Sequence, residues 1–256
     1  MVDVLYNARY VGLESKQSVV GYDMCSPNAI IEVQSNLPNH FDGSAVIENL
    51  VIDGSNPNGE VTVGSTGILL KNVYNCLIRN ITIRNCEVGI RVKVTEGFWS
   101  QGNRFEHIRM KNVKVGIVFE GASSTANDFS YTTIDDVRIS LDGHQNGVGI
   151  KVGDGNAYAN LYNAFIKATV WLDKSNSENM LKQTGLEVNG ALKYSLVDLE
   201  VEQDATENYL GYGVVIGLDG EVLGNQNFLL ATLGLHPARR LSCLGSSVHD
   251  VVWRGM

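Results

Sequence analysis

Apolar positions along this chain alternate in short blocks, and the blocks recur. One block reads small residue, Gly, aliphatic, any residue, apolar. It occurs as Thr66-Gly67-Ile68-Leu69-Leu70, Val88-Gly89-Ile90-Arg91-Val92, Val115-Gly116-Ile117-Val118-Phe119 and Val148-Gly149-Ile150-Lys151-Val152. It returns as Thr184-Gly185-Leu186-Glu187-Val188 and Tyr212-Gly213-Val214-Val215-Ile216. Alternation with period two gives one buried face, so each copy predicts a strand. A second block reads apolar, any, small polar, apolar, any, apolar. Clear copies are Ile47-Glu48-Asn49-Leu50-Val51-Ile52, Ile78-Arg79-Asn80-Ile81-Thr82-Ile83, Phe105-Glu106-His107-Ile108-Arg109-Met110 and Ile134-Asp135-Asp136-Val137-Arg138-Ile139. Weaker copies begin at Ile166, Leu196 and Leu230.

The central polar position of the second block falls at 49, 80, 107, 136, 168, 198 and 232, in steps of 31, 27, 29, 32, 30 and 34. Two strand motifs recurring in one order, with insertions confined to the turns, predict a solenoid of β coils. About eight coils at roughly 4.8 Å each would make a rod of roughly 40 Å. The polar column Asn49, Asn80, His107, Asp136 reads as a bend between two strands. Its side chains are expected to lie in the stack and bond the next coil's backbone. By the same register Trp171 and Trp253 align with Ile52 and Ile83 as core or end-cap residues.

The run Ile47-Glu48-Asn49-Leu50-Val51-Ile52-Asp53-Gly54, followed by Gly67-Ile68-Leu69-Leu70 and Asn80-Ile81-Thr82-Ile83, resembles the pectate-lyase-like superfamily. The resemblance covers about residues 44–236. It implies an all-β fold, a right-handed single-stranded parallel β-helix. The opening, with Val19-Val20-Gly21-Tyr22 and Ala29-Ile30-Ile31-Glu32-Val33, is similar to the entry coils of bacteriophage tailspike-type proteins. Residues 1–43 are therefore expected to form entry coils or a cap, and residues 44–256 the β-helix. Superfamily members include pectin lyases and hydrolases, alginate epimerases and tailspikes that bind or cut surface glycans.

Composition fits a β-rich chain. Asn (24) and Gly (27) make about a fifth of the 256 residues, which means many turns and little long helix. Apolar residues at 44% exclude a disordered chain, and no apolar run is long enough to span a bilayer as a helix. A net charge of −8 and a pI near 5.1 argue against broad nucleic-acid binding. Met1-Val2-Asp3-Val4 lacks the basic start and apolar stretch of a secretory signal, so synthesis in the cytoplasm is expected, with use on a virion tail or an extracellular surface. Cys25, Cys76, Cys86 and Cys243 read as free thiols. His40, His107, His144, His236 and His249 are scattered, and Gly153-Asp154-Gly155-Asn156 lacks the repeated carboxylates of a calcium turn. No metal and no cofactor are expected.

Polygalacturonases of the superfamily carry paired Asp, then Gly-His-Gly, then Arg-x-Lys on successive coils. Here Asp135-Asp136 precedes Gly143-His144-Gln145 by too few residues for a separate coil, and Arg91-Val92-Lys93 comes before both. That motif is not matched. The outward positions carry more chemistry. One column reads Glu48, Arg79, Glu106, Asp135, Lys167 and suits ion-pair ladders. Beside it, Arg84, Arg109, Lys111 and Arg138 make a basic strip, balanced by Glu106 and Asp135, that suits an anionic glycan, because Arg grips a carboxylate with two bonds.

Glu200 and Glu202 are two apart on one strand and so point the same way, about 7 Å apart. That is near the roughly 6.5–9.5 Å carboxylate spacing of inverting glycosidases. Glu187 is expected on a neighbouring face of the same coil. These three are the candidate acid–base residues, with Arg109, Arg138, Trp99 and His144 as substrate-binding residues. Trp99 lies in a polar loop where its ring can stack on sugar, and His144 can act as acid or base near neutral pH.

Val51, Val170, Leu172 and Val197 are read as outward aliphatics needing cover. Together with the tailspike resemblance they predict a homotrimer of parallel rods. The expected function is a polysaccharide-engaging β-helix, a tailspike-like component that binds and depolymerises surface glycan. The alternatives are a non-enzymatic structural or adhesive rod meeting other virion or appendage proteins, and a free-standing pectate-lyase-like enzyme. Neither nucleic acid nor membrane insertion is expected.

Overall fold

The computed structural model describes residues 2–4, 9–11, 18–21, 29–35, 45–56, 58–122, 128–154, 159–173, 182–203, 212–216, 221–223, 229–233, 241–243 and 247–249. Every pairing between its strands is parallel, so each strand meets the equivalent strand of the turns before and after it. This is a parallel β-solenoid. Residues 45–203 make about five turns, fewer than the eight expected. Shorter strands carry the register further at both ends. Ser18–Gly21 pairs with Leu50–Asp53, and Leu241–Cys243 pairs with Tyr212–Ile216.

Each turn has three strands around the core. In the turn that starts at Thr133, the first two are continuous in Thr133–Ser140 and the third is Val148–Val152. A short fourth strand, Asn160–Tyr162, begins a small separate sheet with Ala191–Lys193 and two later strands. Inward side chains stack in columns. Ile47, Ile78, Phe105, Ile134, Ile166 and Val197 form one, each fully buried. Ile68, Ile90, Ile117, Ile150 and Leu186 form another on the third strand. Cys76 and Cys86 are buried free thiols in this core, and burial pushes them up to about 11 and about 12, so both stay protonated.

The recurring glycine has a steric cause. A methyl group added at Gly116 would lie 2.5 Å from the Gly149 carbonyl oxygen and 2.6 Å from Ile139 Cδ1. At Gly89 it would lie 2.7 Å from both the Gly116 oxygen and Met110 Sδ. The third strand approaches its neighbour's backbone and the side chains of the second strand too closely for any Cβ.

The polar column is a bend, but its side chains do not enter the stack. Asn49, Asn80, His107 and Asp136 have φ of 59°, 52°, 53° and 49°. This left-handed conformation favours Asn, Asp and His among residues with a Cβ. Asn80 and His107 are exposed and Asn49 and Asp136 half-buried, so backbone geometry, not a buried polar ladder, selects these residues.

The bend is lost further along, and one residue goes with it. Ile134 pairs with Ile166 and Val137 with Ala168, so Lys167 alone stands where Asp135 and Asp136 stood. That deletion moves the rest of this strand, as far as Leu172, to the other face. Trp171 therefore pairs with Ser140 and faces outward, not into the core. Val170, Leu172 and Val197, expected outside, are buried. Of the four aliphatics taken to need cover, Val51 alone faces outward. The expectations for Trp253 and Cys25 lie outside the described residues.

Candidate functional site

The second strands of successive turns lay two outward columns side by side. One runs Thr82, Arg109, Arg138, Thr169, Glu200. The other runs Asp53, Arg84, Lys111, Ser140, Trp171, Glu202. Arg109, Arg138, Glu200 and Glu202 thus share one face, basic in its earlier turns and acidic in its later ones. Arg138 and Glu200 are two rungs apart, roughly 10 Å.

Asp136 anchors the basic half. Its carboxylate meets His107 Nδ1 at 3.1 Å, Arg138 Nε at 3.3 Å and an Arg109 terminal nitrogen at 3.5 Å. Burial alone would raise this carboxyl, but the hydrogen bond from His107 and the two guanidinium groups outweigh it and hold it below the usual carboxylate range. The expected balance of the strip by Glu106 and Asp135 is therefore replaced by Asp136 and, for Arg84, by Asp53 at 2.8 Å. The predicted ion-pair ladder forms at Glu48–Arg79, 2.5 Å apart, and then breaks, because Glu106 takes Arg104 from its own strand. Each guanidinium keeps donors beyond those used on Asp136, since Arg carries five N–H groups.

In the acidic half, Trp171 Nε1 donates to Glu202 Oε2, and Thr169 Oγ1 donates to Glu200 Oε2 at 3.3 Å. Trp171 was missed because the register was carried across the deleted residue. The signal was present in Ile166-Lys167-Ala168-Thr169, which has no Asn, Asp or His to make the bend.

The other predicted site residues stand elsewhere. Glu187 is on the third strand, 3.5 Å from Lys151 Nζ, and it accepts a hydrogen bond from Asn189. It belongs to a different column from Glu200 and Glu202, because its register partners are Lys151 and Val215. Trp99 is 38% exposed at the corner after the third strand, in the turn between Leu77–Lys93 and Arg104–Glu120. It does not share the face of Arg109 and Arg138. Asp154, in the segment compared with a calcium turn, is bound by Lys151 at 2.6 Å.

His144 lies at the corner between the second and third strands, four residues beyond Ser140, and so flanks the face. A ladder of amides fixes it. Asn85 Nδ2 donates to Asp53 Oδ1 at 3.0 Å, Asn112 Nδ2 donates to Asn85 Oδ1 at 2.8 Å, and His144 Nε2 meets Asn112 Oδ1 at 2.9 Å. An ionised Asp53 can only accept, so each amide is oriented in turn and Nε2 of His144 must carry the proton. Burial lowers the pKa of His144, which leaves a neutral ring with Nδ1 as its acceptor.

The pieces compared with the polygalacturonase motif are dispersed. Asp135 and Asp136 sit at the bend of the first two strands, His144 at the next corner, and Arg91 and Lys93 on the third strand.

The family model of glycosyl hydrolases family 28 matches residues 55–141, about a third of the chain. No curated protein matches. The matched stretch holds Arg84, Arg109, Lys111, Asp136 and Arg138, and ends before His144, Glu187, Glu200 and Glu202. Parallel coils and this match together support a pectate-lyase-like β-helix that engages polysaccharide.

Proposed function

We propose that the face of the second strands binds an acidic polysaccharide along the rod and hydrolyses it at Glu200 and Glu202. The observation that carries this reading is the adjacency of the two outward columns, with cationic side chains in the earlier turns leading to a carboxylate pair in the later ones. Arg109 and Arg138 hold sugar carboxylates through donors left over from Asp136, with Arg84 and Lys111 alongside. The half-buried ring of Trp171 lies beside Glu202 as an apolar platform.

Glu202 accepts the Trp171 indole N–H, which fixes the carboxylate in place, and it serves as the base that activates water. Glu200 accepts from the rotatable Thr169 hydroxyl and serves as the acid that protonates the departing sugar oxygen. Their separation along one strand, roughly 7 Å, leaves room for the water of an inverting mechanism. In the wider setting the chain works as a tailspike-like component, a homotrimer on a virion tail or extracellular surface that meets other virion proteins and depolymerises surface glycan.

The test is incubation with acidic and neutral bacterial and algal polysaccharides, following both new reducing ends and the ultraviolet absorbance of unsaturated uronate. Reducing ends without that absorbance are expected. Glu200→Gln and Glu202→Gln should each abolish cleavage and spare binding, and unchanged turnover would remove the assignment. Appearance of both signals would transfer the chemistry to the Arg and Lys strip as a lyase. Silence from folded protein would leave an adhesive or structural rod.

A further inference from the structure

A second feature lies on a different corner, just before the first strand. Backbone hydrogen bonds align Asn75, Gly102, Tyr131, Asn163 and Tyr194 on successive rungs, and all five have left-handed φ. Asn and Gly are the ordinary occupants of such a position. Tyrosine is not, because it carries the crowding Cβ without the short polar group by which Asn offsets it through local hydrogen bonds, yet Tyr131 and Tyr194 hold φ of 57° and 51°. Burial in the core does not explain the choice, since Tyr131 is 64% and Tyr194 39% exposed. A strained bulky residue with its ring in solvent points to use of the ring.

The surroundings extend the same surface. Tyr162 stacks on Tyr194 with centroids 6.5 Å apart and planes at 26°. Leu196, 41% exposed, and its register partner Phe165 face outward on the adjoining strand. Tyr131 and Tyr194 are two rungs apart, roughly 10 Å along the rod, about the length of an extended disaccharide. Pyranose rings present apolar C–H faces and hydroxyl edges, and a tyrosine divides in the same way between ring and hydroxyl. Exposed Asn163 lies between the two tyrosines as an amide partner for sugar hydroxyls.

We propose that Tyr131, Tyr162 and Tyr194 form a second glycan-binding row, separate from the hydrolytic face, which holds a linear polysaccharide by ring stacking along the rod axis. The occupant, though not the row, rests on the polysaccharide reading above.

The column itself supplies the control, because Asn is its native residue on other rungs. Tyr131→Asn, Tyr194→Asn and the double variant would be made in the Glu200→Gln/Glu202→Gln chain, so that cleavage does not obscure binding. Retention in gels containing polygalacturonate, alginate or dextran would be measured together with melting temperature and sedimentation. The double variant is expected to bind at least one of these polymers about tenfold more weakly, with melting temperature unchanged or raised and mass unchanged. Unaltered retention overturns the proposal, as does absence of retention by the parent chain on all three polymers. A lower melting temperature would make the rings structural, and a change in mass would make the row a contact between subunits. Either result also overturns it. Cleavage of short oligosaccharides by the tyrosine variants with Glu200 and Glu202 intact reads the hydrolytic face alone, so failure of one reading is distinguishable from failure of the other.

Discussion

Asp53 shows how one side chain couples neighbouring turns. Its carboxylate accepts from Ser55 N at 3.1 Å, Ser55 Oγ at 2.8 Å, Asn85 Nδ2 at 3.0 Å and Arg84 Nε at 2.8 Å. Burial by itself would raise the carboxyl, but these donors outweigh it and hold the pKa at about 2, below an unfolded value of 3.8. A group whose pKa is depressed by folding stabilises the native state fully above its unfolded pKa. That contribution is lost as pH falls through the folded one. Asp53 should therefore contribute about 1–2 kcal/mol above about pH 4, after allowance for partial screening, and lose it between about pH 4 and pH 2. The check is urea unfolding of wild type and Asp53→Asn across that range. The difference between them should shrink towards pH 2, and a constant difference would refute the assignment. Asp53 also orients the amide ladder to His144, so the same carboxylate fixes a turn and the tautomer of a ring three rungs away.

Within a turn, two rules decide what the strands can carry. The first is the close approach at the glycine column. Gly116→Ala must push apart the Gly149 carbonyl and Ile139 Cδ1, and should cost about 3 kcal/mol or more, above the usual range for one added methylene, because backbone is involved. A melting temperature within a degree of wild type would show that the turns can part more easily than this packing allows. The second rule is register. Both repeated blocks, the parallel stack and the order of strands were legible in the sequence, because period-two alternation and glycine spacing are local. The register beyond Lys167 was not legible from alternation alone, since Ile166-Lys167-Ala168-Thr169-Val170-Trp171 reads equally well on either face until the missing bend is counted. Arg109, Arg138, Glu200 and Glu202 lie on one face because alternation holds within each strand after the bend position, whether or not the bend is present. Glu187, Trp99 and His144 did not join it, because the widths of corners cannot be read from alternation. The corner tyrosines escaped notice because a left-handed backbone leaves a pattern only when Asn, Asp or His occupies it. The register makes a paired prediction. Val170→Ala, inside the core, should cost about 1–3 kcal/mol in urea unfolding. Trp171→Ala, outside it, should cost less than that and instead reduce polysaccharide cleavage. The opposite ranking would put Trp171 back in the core.

At the scale of the whole rod, charge is divided where the sum conceals it. The chain carries −8, yet Arg84, Arg109, Lys111 and Arg138 occupy consecutive turns of one face. A long anionic polymer meets that strip at several points together, whereas the net charge of the protein repels it from a distance. Screening acts on these two effects differently. At about 0.1 M salt the Debye length is about 10 Å, so repulsion from remote carboxylates is mostly suppressed while contacts at the strip persist. Added salt beyond that weakens the contacts themselves. Affinity for an acidic polysaccharide should therefore pass through a maximum at moderate ionic strength and then fall, and a neutral polymer should show neither trend. Arg109→Gln/Arg138→Gln should flatten the falling limb while leaving the initial rise. Binding measured by titration from low to high salt, for wild type and this variant, decides the matter. An equal decline in both would mean that the strip merely balances Asp136 and that the polymer is held elsewhere on the rod.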